Sequence, residues 1–430
     1  MRGRFATRLA PAAFAAGAVV VAAALTGAAA APACDPGNGG ITLPPGFCAF
    51  VAADDVGPAR HIVVAPNGDL FVALRNGRGQ KGGVVALRDT NGDGRMDVRE
   101  KFGDDGATGV ALHNGYLYLA TTTSVVRYKM TPGELKPAGP PETIVAGLPE
   151  QREHADKSFA FDGHGGMYVN VGAPSNACQP QDRKPKVPGQ DPCPLLEKHG
   201  GIWRFDENKP GQTQDDGRRY STGMRQMIGL TWRGDSLYVV MHGRDQLDTL
   251  WGFTAEQNAE LPAETLLRVS DGANFGWPYC YFDTSKGRFL LNPEYGGDGT
   301  KVGRCDQFTP PVAFFPGHWA PNDLLFYAGE QFPKRYQGGA FIAFHGSWNR
   351  APLPQRGYNV TFVPFSAGQP KPSGPYEVFA DGFAGKMPLE RPNDAAARPD
   401  GLAVGPDGSL YVTDDIRGRV WRVLYRGSAK

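Results

Sequence analysis

The sequence predicts an all-β fold, a six-bladed β-propeller of four-stranded antiparallel blades around a central channel. The first reason is a phrase that recurs along the chain. His61-Ile-Val-Val-Ala-Pro-Asn-Gly-Asp-Leu-Phe-Val-Ala73 and Gly401-Leu-Ala-Val-Gly-Pro-Asp-Gly-Ser-Leu-Tyr-Val-Thr413 both read apolar run, turn, apolar run. Weaker copies place turn glycines at Gly115, Gly166 and Gly234, alongside Gly68 and Gly408. Asn-Gly, Asp-Gly and Gly-Gly turns tolerate the positive φ that a tight hairpin demands. The second reason is composition. With 58 glycines and 37 prolines in 430 residues, the chain is turn-rich, and long amphipathic helical patterns are missing. The third is stacking. One hairpin cannot bury its own face, so such units must pack on one another. Between Gly234 and Gly408 there is room for one or two divergent copies, and Gly338-Gly-Ala-Phe-Ile-Ala-Phe344 is the best candidate. The count points to about six blades.

From the N-terminus, Arg2, Arg4 and Arg8 precede an Ala/Val-rich run and then small residues through Ala31. This is the pattern of a secretory signal peptide over residues 1–31, with an uncleaved membrane anchor as the alternative, followed by a strap at 32–44 and the propeller at 45–428. A periplasmic or secreted location follows. The cysteines agree with it. Cys34 and Cys48, Cys178 and Cys193, and Cys280 and Cys305 lie as close pairs, so local bridges are the simplest connectivity. Net charge is +1, which gives neither a nucleic-acid footprint nor a polybasic membrane signal.

Next comes Asp89-Thr-Asn-Gly-Asp-Gly-Arg-Met-Asp-Val-Arg-Glu100. In a calcium loop, Asp89, Asn91, Asp93, the Arg95 carbonyl, Asp97 and Glu100 fall at ligand positions, with Gly94 at the sharp turn. Its flanks are strand-like, so the expectation is an isolated structural calcium site. The alternative is a polar hairpin whose acids face water.

His61, His242, His318 and His345 sit at predicted strand edges, and His154 lies in the polar loop before the run Phe159-Ala-Phe161. A histidine at a channel mouth can serve as a general base; composition alone favours a loop residue with no role. Arg60, Arg225 and Arg398 each stand just before a repeat hairpin. Three guanidiniums at equivalent positions would converge on one mouth and suit a carboxylate or phosphate ligand. A ring of salt bridges between blades, with Asp400, Asp414 and Asp415 as partners, is the competing reading. No GxxxxGK[ST], GxSxG or HExxH is present.

The order His154, Gly223-Met-Arg-Gln226, Asn274-Phe-Gly-Trp-Pro278, His345-Gly-Ser-Trp-Asn-Arg350 and Arg398-Pro-Asp-Gly-Leu402 resembles the glucose/sorbosone dehydrogenases that use pyrroloquinoline quinone. The likeness is to the sorbosone and pyranose dehydrogenase branch and covers roughly residues 45–425. The resemblance implies a six-bladed propeller that oxidises an aldose or sugar aldehyde by hydride transfer to the quinone, with calcium polarising the quinone carbonyl. It implies His154 as the base and Arg225 beside the quinone carbonyl. Gln226, Arg350, Arg398, Trp348 and Arg60 would line the cofactor, and the carbonyls of Gly243 and Arg244 would hold calcium. Glu153, Gln226 and Arg244 stand where the soluble glucose enzymes carry Asp, Asn and Pro. A cofactor-facing Gln is replaced near Ala107-Thr108. Electrons would leave to an external acceptor, a quinone or cytochrome. The alternatives are a calcium-dependent, lactonase-like propeller hydrolase and a non-catalytic carbohydrate-binding propeller.

Overall fold

The computed structural model describes residues 32–77 and 79–427, together with residues 1 and 3. The expected signal peptide otherwise lies outside the described residues. Six sheets form the blades. The first comprises Ala59–Val64, Leu70–Leu74, Gly83–Arg88 and Val98–Phe102. The second runs Ala107–His113, Tyr116–Thr121, Val125–Lys129 and Glu142–Ala146. The third is Phe159–Phe161, Gly166–Val171, Gly201–Asp206 and Arg218–Thr222. The fourth is Gln226–Arg233, Ser236–His242, Glu264–Val269 and Ala313–Phe315. The fifth is Pro321–Phe326, Ala340–His345, Tyr358–Val363 and Glu377–Ala380. The sixth takes Pro399–Val404, Leu410–Asp414 and Val420–Tyr425 from the C-terminal end. Its outer strand is Phe47–Ala53 from the other end of the chain. That antiparallel pairing closes the ring, so no blade is left with an unmatched terminal edge.

The hairpins with turns at Gly68, Gly115, Gly166, Gly234 and Gly408 each belong to a different blade. Residues 338–344 open the second strand of the remaining one. Their strands are almost continuously apolar because both faces are buried. Side chains alternate across the pleat. Val72 joins the cluster toward the sixth blade, whereas Phe71 and Ala73 join the cluster toward the second. Tyr238 and Val240 pack toward the fifth blade, and Val239 toward the third. Each of the six spaces between neighbouring blades thus holds its own apolar cluster. Each fully buried Leu, Val or Phe in them contributes about 1.5–3 kcal/mol.

Among the described residues, α-helix is confined to the short pieces Leu247–Trp251 and Ala255–Glu260. No helix among the described residues is long and apolar enough to cross a membrane. The expected disulfides are formed: Cys34–Cys48, Cys178–Cys193 and Cys280–Cys305. The first ties the N-terminal strap to the ring-closing strand, and Thr42 bridges to Asp381.

The segment 89–100 departs from the calcium-loop expectation. It is a hairpin between Gly83–Arg88 and Val98–Phe102, and Glu100 lies inside the second strand opposite Ala86. There it pairs with Lys136 at 2.7 Å. The loop carboxylates are taken by local donors. Asp89 accepts from the N–H groups of Gly92 and Gly94, and Asp93 from that of Arg95. Asn91 accepts from Asp93, and Asp97 accepts from the N–H and Oγ1 of Thr90. The acids therefore do not converge: they form no three-ligand cluster within 4.8 Å. The register of the two strands places Glu100, the twelfth position, in the second strand and outside the loop.

Candidate active site

At one mouth of the channel, the strand ends and connections of the third, fourth and fifth blades enclose a cavity of about 340 Å³. Glu153, His154, Arg183, Arg225, His242, Gly243, Asp245, Glu264, His318 and Trp348 line it. His154 reaches it from the connection between the second and third blades, where its backbone adopts φ +55°. Gln151 pins that connection by donating to the carbonyls of Glu153, His154 and Gly172. His154 Nδ1 lies 2.5 Å from the Ala173 carbonyl, which can only accept. The proton therefore sits on Nδ1, and Nε2 carries a lone pair. Burial first, and then the Arg225 guanidinium, hold this imidazole well below the usual histidine range. It is held in the neutral form.

Arg225 is set by a turn that the Gly223 and Asn274–Trp277 segments build together. Gly223 has φ +71°, and a Cβ there would lie 2.1 Å from Asn274 Oδ1. Trp277 donates its N–H to the Gly223 carbonyl and its indole Nε1–H to the Asn176 carbonyl, the latter at 3.0 Å. Asn176 in turn accepts from Arg225 Nη2 at 3.1 Å. Arg225 also donates to the Gly243 carbonyl at 2.8 Å and to Asp245 Oδ2 at 2.7 Å. Its Nε is buried without a hydrogen-bond partner. A buried donor left unpaired is costly unless a ligand meets it.

Asp245 is the hub, and sequence reasoning passed over it. Its carboxylate accepts from Arg225, Arg183 and Asn349, and its Oδ1 lies 3.8 Å from His318 Nδ1. Burial alone would raise its pKa, but the guanidiniums of Arg225 and Arg183 hold it below the ordinary carboxylate range. Glu264 shows the opposite balance. It is buried and accepts the Gly243 N–H at 3.0 Å, and burial pushes its carboxyl up to about 8. Burial also lowers His242, to about 4, and His318. The cavity therefore holds neutral imidazoles, a protonated acid and two arginines sharing one aspartate. No spacing in the sequence marks Asp245, Glu264 or Arg183. Only the ring closure brings them beside His154.

Of the other residues expected to line the cofactor, Trp348 lines the cavity and Arg60, Gln226, Arg350 and Arg398 do not. Trp348 stands on the rim with 49% of its surface exposed. Arg398 donates to the carbonyls of His345 and Gly346 and stacks on Tyr358. Arg60 takes the salt-bridge alternative: it is buried between Asp400 at 2.6 Å and Asp156 at 3.1 Å. Arg350 is turned away from the cavity. Its guanidinium donates to the carbonyls of Ala259 and Pro354 and to Glu260. It fastens the short helix Ala255–Glu260 and cannot also reach the pocket. Gln226 is buried at the start of its strand and does not line the cavity. The Arg244 side chain is directed to Glu294, so only its backbone faces the turn. His345, Asp400 and Asp415 form the one three-ligand cluster within 4.8 Å among the described residues. Asp400 is already bound by Arg60 and Asn322, and Asp415 by Arg75.

The molecule is a six-bladed propeller with a polar, ligand-sized pocket at one channel mouth, lined by a neutral histidine and an under-partnered arginine. The chain belongs to the TrAA12-like family, whose model matches residues 41–426. It is similar to the pyrroloquinoline quinone-dependent pyranose dehydrogenase of Coprinopsis cinerea, 28% identical over 235 residues, which are 48% of this chain and 31% of that protein. The chain spans less than half the length of the curated relatives it matches. Among solved structures, it resembles the holo pyranose dehydrogenase PQQ domain from Coprinopsis cinerea, at TM-score 0.72 and 19% identity, covering 92% of this chain and 98% of that one. It also resembles the calcium structure of the Trichoderma reesei carbohydrate-active enzyme of family AA12, at TM-score 0.73 and 20% identity, covering 90% and 97%.

Proposed function

We propose that this protein is a pyrroloquinoline quinone-dependent oxidoreductase that acts on an aldose or sugar aldehyde. One observation carries the reading: the lone pair of His154 Nε2 and the unpartnered Nε–H of Arg225 belong to side chains of one cavity. A base for a hydroxyl proton and a cation for an anionic cofactor are the two things such a reaction asks of the protein.

The donor set suits the quinone. Arg225 offers a planar donor to a carboxylate from the cavity lining, whereas Arg398 does not line it and meets carbonyls and a ring. The quinone, when bound, accepts the hydride. His154 takes the sugar hydroxyl proton on Nε2, with Nδ1–H on Ala173 fixing the tautomer. Trp348 presents an exposed ring at the rim against which a sugar can stack. The carbonyls of Gly243 and Arg244 are the candidates for calcium, and Glu264, bonded to the Gly243 N–H, fixes that turn. Three disulfides support an oxidising compartment, the periplasm or outside the cell, and an export signal over residues 1–31 fits it. Reduced cofactor would then pass electrons to an external quinone or cytochrome. The test is to titrate the purified protein with the quinone in calcium, following absorbance, and then to screen sugars with an artificial acceptor. Saturable binding and sugar-dependent reduction are expected. Absence of binding in calcium would leave a carbohydrate-binding propeller instead.

A further inference from the structure

Arg183 has no place in the family resemblance, yet it faces the same cavity. It is carried there by the loop that the Cys178–Cys193 disulfide closes. The loop is held from within and without. Gln179 donates to the carbonyls of Lys184 and Val187, Ser175 donates to Asp182, and Lys186 reaches the Trp251 carbonyl.

The two pocket arginines spend their donors differently. Arg183 gives Nη1 to Gln246 at 2.8 Å and Nη2 to Glu153 and Asp245, both at 3.1 Å, while Nε approaches Glu153 at 3.4 Å. A guanidinium has about five N–H groups, so Arg183 is nearly saturated. Arg225 keeps a buried Nε with no partner. Both converge on Asp245 Oδ2. Without Arg183, Asp245 would be the counter-ion of Arg225 alone, and Glu153 would stand at the mouth without its arginine. Both changes would oppose an anionic ligand.

We infer that Arg183 is a positioning residue: by holding Asp245 and Glu153, it leaves the charge and the Nε–H of Arg225 available to a carboxylate-bearing ligand. The inference rests on the quinone reading above. The disulfide loop is then part of the binding site, since it alone delivers Arg183.

The experiment is a quinone titration in calcium of wild type, Arg183→Met, Arg183→Lys, Asp245→Asn and the Arg183→Met/Asp245→Asn double variant, each with its thermal midpoint. Arg183→Met should weaken binding by about tenfold, the scale of one charge-assisted contact. Arg183→Lys should restore part of it. In the Asp245→Asn background, the same substitution should cost about threefold or less, because the residue acts through Asp245. Reducing the disulfide in wild type should reproduce the Arg183→Met affinity. An unchanged affinity in Arg183→Met, or an equal loss in both backgrounds, overturns the inference while wild type still binds. Failure of wild type to bind overturns the quinone reading itself and the inference with it. Should Arg183→Met unfold, the comparison of Arg183→Lys with and without Asp245→Asn decides.

Discussion

The channel mouth has two sides built from the same residue types. On one side, at the first and sixth blades, Arg60 and Arg75 are matched to aspartates, while Arg398 meets carbonyls. Arg60 lies between Asp400 and Asp156, and Arg75 on Asp415, which also accepts from His345 at 3.0 Å. On the other side, at the third to fifth blades, Arg225 and Arg183 share Asp245, and the imidazoles of His154, His242 and His318 face carbonyls. The first side spends the guanidiniums of Arg60 and Arg75 on carboxylates, although Arg60 Nε and Asp400 Oδ1 also lack a partner. The second sets its unspent donor, Arg225 Nε, and the His154 Nε2 lone pair on side chains of one cavity. Arg60 and Arg225 therefore differ in what they meet: two carboxylates for Arg60, and a carbonyl, an amide oxygen and a shared carboxylate beside a cavity for Arg225.

The comparison can be broken most sharply at the two residues that define it. His154→Ala should lower turnover by about 10²–10⁴-fold, the usual range for a lost general base, with quinone affinity nearly unchanged. Equal loss of affinity and turnover would place His154 on the cofactor instead. For the wild type, activity should fall only on the acid side, as the lowered imidazole pKa is crossed downward and Nε2 becomes protonated. A pH–rate profile that falls toward neutral pH from above would contradict this. On the frame side, Arg60→Met strands the buried carboxylate of Asp400. It should cost about 3–5 kcal/mol in denaturant unfolding, where the same change at exposed Arg391 costs nothing measurable.

A third effect is smaller and depends on pH. Lys157 is fully buried beside Asp156 and donates to the Ala155 carbonyl at 2.7 Å. Burial lowers its pKa from 10.5 to about 8. Below about 8 the ammonium is charged in both folded and unfolded states, and its burial cost is present in full. Between about 8 and 10.5 the unfolded chain holds the proton and the folded one does not, so this group's contribution to stability rises with pH. Lys157→Met should remove that rise, by on the order of a few kcal/mol. Unfolding curves with identical pH slopes in both proteins would place the ammonium in a polar environment. The smallest effect belongs to the hairpin at 89–97. Asp93→Ala deletes one acceptor for the Arg95 N–H and should cost about 1 kcal/mol, equally in calcium and in chelator. A melting shift confined to calcium would restore the metal reading of that loop.

Much of this was legible in the sequence, and the reason is locality. A hairpin, its turn glycine and its two-residue alternation are decided within a dozen or so residues, so the blades at Gly68, Gly115, Gly166, Gly234 and Gly408 could be placed. The Cys178–Cys193 and Cys280–Cys305 bridges close loops of 15 and 25 residues. The family likeness came from short runs such as Asn274-Phe-Gly-Trp-Pro278, whose work turns out to be local too, holding Gly223 and Asn176 around Arg225. What the tertiary structure alone decided is the partner of each charge. Arg60 meets Asp400 across 340 residues, and Arg350 is claimed by Glu260 across 90. Glu100 left the calcium loop because a strand register, not a spacing, governs where it points. Closing the ring sets distant blades side by side, and the electrostatics that set one arginine between two aspartates and another beside a cavity exist only after that closure.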